Sequence, residues 1–162
     1  MTIETLKQKI EQKMSAIKTY INRDVPIVIG VEATSEFREN FDKESFDGEK
    51  WPDVKRRDPD SPWYGHSGQT GRKSGSRTTA KILEGETGEL KNAISYRIEP
   101  GKVIVTNDKP YAIVHNEGRM AKIYGKTPFQ MPKRQFIGAT PKLINRINSK
   151  IVRDMTTIIQ SP

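Results

Sequence analysis

Residues 94–118, ISYRIEPGKVIVTNDKPYAIVHNEG, decide how the chain is read. Tyr96 and Ile98 alternate with Arg97 and Glu99, the period of a half-buried strand, because successive side chains of an extended chain point to opposite faces. Pro100-Gly101 follows, with proline fixing φ at the first turn position and glycine accepting a positive φ at the second. A hairpin therefore returns through Lys102–Thr106. Asn107-Asp108-Lys109 is a second turn, and Tyr111 to His115 reads as a third strand. The expectation is a three-strand antiparallel meander.

Outward from the meander the apolar period changes to that of a helix. Leu90 and Ile94 predict a helical turn just before the first strand. Thr140 and Pro141 form an N-cap and first-turn pair, after which Ile144, Ile147, Ile151, Met155 and Ile158 run at helical spacing to the end. At the other end Ile3, Leu6, Ile10, Met14, Ile17 and Ile21 recur in steps of three and four behind Thr2, which can cap the start. DVPIVIGV, Asp24 to Val31, opens on Pro26 and is interrupted by Gly30, so it reads as a short strand or buried connector. A second helix is expected from about Thr34 to Glu44, with Phe37 and Phe41 on one face and Phe46 just beyond. The fold class expected is α+β: a small antiparallel sheet packed by N-terminal and C-terminal amphipathic helices, in one domain spanning 1–162.

Hydrophobic residues make up 33% and charged residues 30% of the 162, which is lean for a compact globule and places part of the length outside the core. Residues 55–81, KRRDPDSPWYGHSGQTGRKSGSRTTAK, are that part: four glycines, two prolines, and only Trp63 and Tyr64 as large apolar side chains. A long Gly-rich arm, mobile in the free protein, is expected at about 56–81. The net charge of +8 points to polyanions or acidic partner surfaces. With no cysteine, disulfides, thiolate zinc sites and cysteine nucleophiles are all excluded. The first ten residues carry no apolar run of signal length and no stretch is long enough to span a bilayer, so the chain reads as soluble and unexported, with no membrane partner.

The motifs that invite chemistry do not assemble into a site. His115 and Glu117 lie two apart, yet zinc takes three or four ligands and the only other histidine, His66, falls in the arm. His115 is instead expected to anchor the end of a strand through a hydrogen bond. GHSGQTGRKSGS lacks the order of a phosphate loop, and no G-x-S-x-G occurs. No catalytic, cofactor-binding or metal-ligating residues are expected. The charge pattern carries more: nine basic residues and no Asp or Glu occur from Arg119 to Arg153. Within it Arg119, Lys122, Lys126, Lys133 and Arg134 share a segment of little regular pattern with Tyr124 and Phe129. Such a segment fits either nucleic acid, through phosphate contacts and stacking, or an acidic protein neighbour.

Taken in order, F-D-G-x-x-W at Phe46 to Trp51, I-L-x-x-x-T-G-x-L at Ile82 to Leu90, Y-A-x-x-H-N-E-G at Tyr111 to Gly118 and M-P-K-R-Q-F-I-G at Met131 to Gly138 resemble the phage virion morphogenesis family, the tail completion proteins of Mu-like and P2-like tailed bacteriophages. The resemblance covers roughly Phe37 to the C-terminus. It marks Phe46, Trp51, Gly88, Leu90, Tyr111, His115, Gly118, Pro132 and Phe136 as structural positions and brings no catalytic residues. In its light His115 and Asn116 hold a corner closed by Gly118, and Phe136 packs inward while Lys133 and Arg134 face out. It implies a structural virion protein, assembled in the host cytoplasm, that completes the tail or joins it to the head as a subunit of a ring. Its partners would be further copies of itself and other tail or connector proteins, with non-specific contact to packaged DNA. The alternative is a basic nucleic-acid-binding module using the C-terminal third.

Overall fold

The computed structural model describes residues 2–67, 71–123 and 125–161. Helix α1, Ile3–Thr19, passes through a π turn, Tyr20–Asp24, into α2, Val25–Lys43. There follow strands β1 (Ser45–Phe46) and β2 (Glu49–Lys50), the short helices α3 (Gly75–Thr79) and α4 (Glu89–Asn92), strands β3 (Ile94–Glu99) and β4 (Lys102–Asn107), helix α5 (Ala112–Glu117), strands β5 (Met120–Ile123) and β6 (Thr127–Gln130), and helix α6 (Pro141–Gln160). The strands form three separate two-stranded sheets, β1 with β2, β3 with β4 and β5 with β6. No helix among the described residues is long and apolar enough to cross a membrane.

The fold is thus α+β with small antiparallel sheets and long helices toward each end, but the three-strand meander is not formed. Tyr111 to His115 is not a strand. It lies at the start of the helix α5, entered just after Pro110 and closed by Gly118 in the left-handed region at φ 68°. Over six residues a run such as YAIVHN satisfies periods of 2 and 3.6 alike, and the proline before it and the glycine after it decide for the helix. Tyr111 and His115, four apart, consequently stack edge to face with ring centroids 6.2 Å apart.

Asp24 to Val31 is likewise helical, contrary to the strand or connector expected. Pro26 offers no N–H and its ring would crowd the carbonyl four residues back. The π turn absorbs this, with the Val25 N–H donating to the Tyr20 carbonyl one residue further back than in an α-helix. Gly30 does not break the helix. A Cβ there would lie 2.2 Å from Cδ2 of Tyr96, so the glycine lets α2 lie directly against that ring. The segment 119–134, expected to be irregular, contains the β5–β6 hairpin, with Lys122 opposite Pro128 and Ile123 opposite Thr127.

The chain divides into two compact units. The first comprises Met1–Ser35, Tyr96–Val105 and Ala139–Pro162. In it α6 runs antiparallel to the N-terminal helices, as three contacts show. Lys13 donates to the carbonyls of Ile159 and Ser161, the Tyr20 hydroxyl donates to Asp154 at 3.1 Å, and Arg146 pairs with Glu32 at 2.5 Å. Thr140 caps α6 by accepting from the Leu143 N–H at 3.0 Å. The second unit, Glu36–Ser95 and Thr106–Gly138, holds most of the buried apolar side chains: Phe37, Phe41, Trp51, Ile82, Leu90, Ile94, Ala112 and Phe136. Phe41 sits at its centre, 4.9 Å from the Phe136 ring and 5.5 Å edge-on from Trp51.

The segment expected as an arm adds almost nothing to this core, since Trp63 and Tyr64 are exposed. Its described part is a succession of turns with arginine clasps at either end. Arg57 forks onto both carboxylate oxygens of Glu44, at 2.6 and 3.0 Å, and reaches the Ala80 carbonyl. Arg57, chiefly through those hydrogen bonds, holds the Glu44 carboxyl below its usual range. Residues 68–70 of the arm lie outside the described residues.

Candidate assembly interface

The strap before α6, residues 131–138, is positioned by polar clips rather than by sheet pairing. Arg134 donates its backbone N–H to the carbonyl of His115 at 2.8 Å. The side-chain oxygen of Asn116 accepts from the N–H groups of both Phe136 and Ile137, each at 2.9 Å. Asn40 donates to the Phe136 carbonyl at 3.1 Å and Trp51 donates its indole N–H to the Gln135 carbonyl at 2.8 Å. These bonds give an otherwise unpaired backbone its partners, which lets Phe136 be fully buried. Gly118 is required at the corner for two reasons: its φ of 68° disfavours other residues, and a Cβ would lie 2.9 Å from that of Lys133.

The other motif positions serve the same unit. Phe46, half-buried, packs against Gly138, where an added Cβ would come within 2.8 Å of the ring. Gly88, at φ 65°, opens α4, and Leu90 is buried while its carbonyl accepts from Asn107 at 2.6 Å. The Tyr111 hydroxyl donates to Glu89 at 3.3 Å, and Pro132 is exposed. His115 differs from expectation: its side chain anchors no strand, and its buried Nδ1 has no hydrogen-bond partner among the described residues. Burial first, and then the neighbouring Arg134, push its pKa down to about 4, so the imidazole is neutral near pH 7.

The five basic residues singled out by charge do not form one surface. Lys122 and Lys126 are exposed, the first on β5 and the second at the tip of the β5–β6 hairpin, and Lys133 is exposed on the strap. Arg119, also exposed, is already matched by Glu117 at 2.7 Å. Arg134 does not face out: it is 5% exposed and donates to the carbonyls of Pro52 and Asp53 at 2.9 and 3.0 Å. Strap geometry is the reason, because Phe136 and Arg134 are two apart in extended chain and share a side. The acid-free run is partly balanced in space, since Arg146 meets Glu32 and Lys150 meets Asp154 at 2.8 Å. Tyr124, read as a stacking aromatic, lies outside the described residues, and Phe129 is half-buried.

What the sequence reading missed is the apolar surface of the first unit. Helix α1 has no buried residue. Ile3, Leu6, Ile10 and Met14 are exposed, as are Ile21, Ile27, Val31, Ile98, Ile144, Val152 and Ile159 on the other elements of that unit. The periodic stripe in α1 was legible; that most of it stays exposed in the single chain was not. Among the described residues no group of three or more His, Cys, Asp or Glu side chains is placed to hold a metal ion.

No curated protein and no solved structure matches the chain. A family model does, over residues 6–156, nearly the whole length including the N-terminal helix. The chain belongs to the phage virion morphogenesis family.

Proposed function

We propose that the protein is a structural subunit that completes the phage tail or joins the tail to the head, acting in an oligomeric ring through the helices of its first unit. The observation that carries this is the apolar imbalance of that unit. Tyr20, Ala33 and Leu143 are its only buried apolar residues among those described, against the eleven exposed large ones named above. A helix that meets α6 yet has no buried residue gains further stability from packing still to come. Each such side chain covered on assembly contributes about 1–2 kcal/mol. Four along α1 therefore contribute about 4–8 kcal/mol toward holding neighbouring subunits together.

Light scattering on the eluting protein tests this. The wild-type chain should elute above its 18.4 kDa monomer mass. The double variant Leu6→Ser/Ile10→Ser should fall to the monomer and melt at a lower temperature for want of that packing, yet still cooperatively, because the core around Phe41 and Phe136 is untouched. A wild-type monomer at assembly concentrations, alone and with tail proteins, would refute the reading. A second reading rests on Lys122, Lys126 and Lys133, which are exposed and form no ion pair among the described residues. They give the second unit exposed positive charge suited to packaged DNA or an acidic neighbour.

A further inference from the structure

Arg56, Arg77, His115 and Arg134 line one cavity of about 310 Å³ in the second unit. The sequence separates them widely, and no motif announced them as a group. Among the described residues the three guanidiniums are held by main-chain carbonyls. Arg56 donates to Arg77 and Lys81 at 2.6 and 2.9 Å, Arg77 donates to Gly85 at 3.1 Å, and Arg134 donates to Pro52 and Asp53. None of the three forms an ion pair among the described residues, whereas the adjacent Arg57 is paired to Glu44 at 2.6 Å.

A carbonyl satisfies the hydrogens of a guanidinium but leaves its charge uncompensated, and an uncompensated charge out of water is costly. Arg134 is 5% exposed. Burial, followed by the repulsion of Arg77, disfavours the charge on Arg56. Two buried nitrogens of the lining residues, Nε of Arg77 and Nδ1 of His115, have no hydrogen-bond partner among the described residues. Glu84 and Glu89 also line the cavity. Glu89 is engaged elsewhere, accepting from Tyr111 and lying 3.8 Å from Lys109. The lining thus sets three guanidiniums against two carboxylates, Glu84 and Glu89, and has unused donor capacity.

We propose that this cavity receives the carboxylate of an aspartate or glutamate side chain from a protein partner in the virion. A planar carboxylate matches the fork of a guanidinium and supplies the missing counter-charge. A recess of this size admits one side chain but not the backbone of duplex DNA. The site depends on the assembly reading only in making the partner a protein. It lies in the second unit, apart from the helices proposed to form the ring, so light scattering and ligand binding fail independently.

The test uses the full ¹⁵N-labelled chain and two probes, acetyl-Gly-Glu-Gly-amide and its glutamine counterpart, followed through the arginine Nε–H and histidine ring signals. The glutamate peptide should shift the Arg77 and His115 signals saturably, at least about tenfold more tightly than the glutamine peptide. The shift should vanish in Arg77→Gln with the backbone spectrum otherwise retained. Should that variant not fold, Arg56→Gln takes its place. Absence of a saturable shift, equal binding of the glutamine peptide, or preferential displacement of the same signals by a short DNA duplex would overturn the proposal.

Discussion

Replacing Asn116 with Ala removes one side-chain oxygen and orphans two backbone donors, the N–H groups of Phe136 and Ile137, both bonded to it at 2.9 Å. Phe136 is fully buried, so water cannot replace the lost acceptor without opening the core, and an unsatisfied buried donor costs about 1–3 kcal/mol. Ile137 is half-buried and its N–H should cost less. The sum is about 2–4 kcal/mol, a large part of the stability of a small domain. Asn116→Asp keeps an oxygen that accepts both bonds and should stay within about 1 kcal/mol of wild type at pH 7. Urea unfolding followed by tryptophan fluorescence reads this directly, because Trp51 is buried and bonded to the carbonyl of Gln135 beside the strap. A loss below about 0.5 kcal/mol in the alanine variant, or an equal loss in the aspartate variant, would refute the view that these clips hold the strap.

His115 should make stability fall on mild acidification. Its pKa is near 6.5 in the unfolded chain and about 4 in the fold, so its contribution is complete above pH 6.5 and drains away as pH falls toward 4. Across that window the melting temperature of wild type should drop more than that of His115→Gln; parallel curves would show that the imidazole does not titrate this way. Lys122→Glu with Lys126→Glu should leave the melting temperature within a degree or two of wild type, since exposed charges contribute little, yet lower the yield of infectious particles in complementation. A normal yield would remove these lysines from any interface. Limited trypsin digestion should cut first after the exposed Arg72 or Lys73 of the proposed mobile arm, and later after the half-buried Arg56, Arg57 and Arg77. Equal protection of Arg72 and Lys73 would show that the arm is fixed in the free protein.

The long elements were legible in the sequence because their periods run for many turns: α1 behind Thr2, α6 behind Thr140-Pro141, and the β3–β4 hairpin around Pro100-Gly101. The misreadings have local causes. Pro26 and its β-branched neighbours signal a strand unless a π turn precedes them, and six residues from Tyr111 do not distinguish two periods. The clips on the strap join residues 19 to 96 positions apart, beyond any local pattern. Charge was legible as a total but not as a direction, since Lys133 and Arg134 are adjacent and only the first reaches solvent. For the same reason the arginine-lined cavity had no signal in the sequence: Arg56, Arg77 and Arg134 meet only through the tertiary fold.

Electron microscopy of lysates from the phage that carries this gene, with the reading frame deleted, tests the assembly role most directly. The account predicts DNA-filled heads and tails that accumulate unjoined or with unfinished ends, restored to intact particles by the wild-type chain and not by Leu6→Ser/Ile10→Ser. Intact, infectious particles in normal number from the deletion would contradict it.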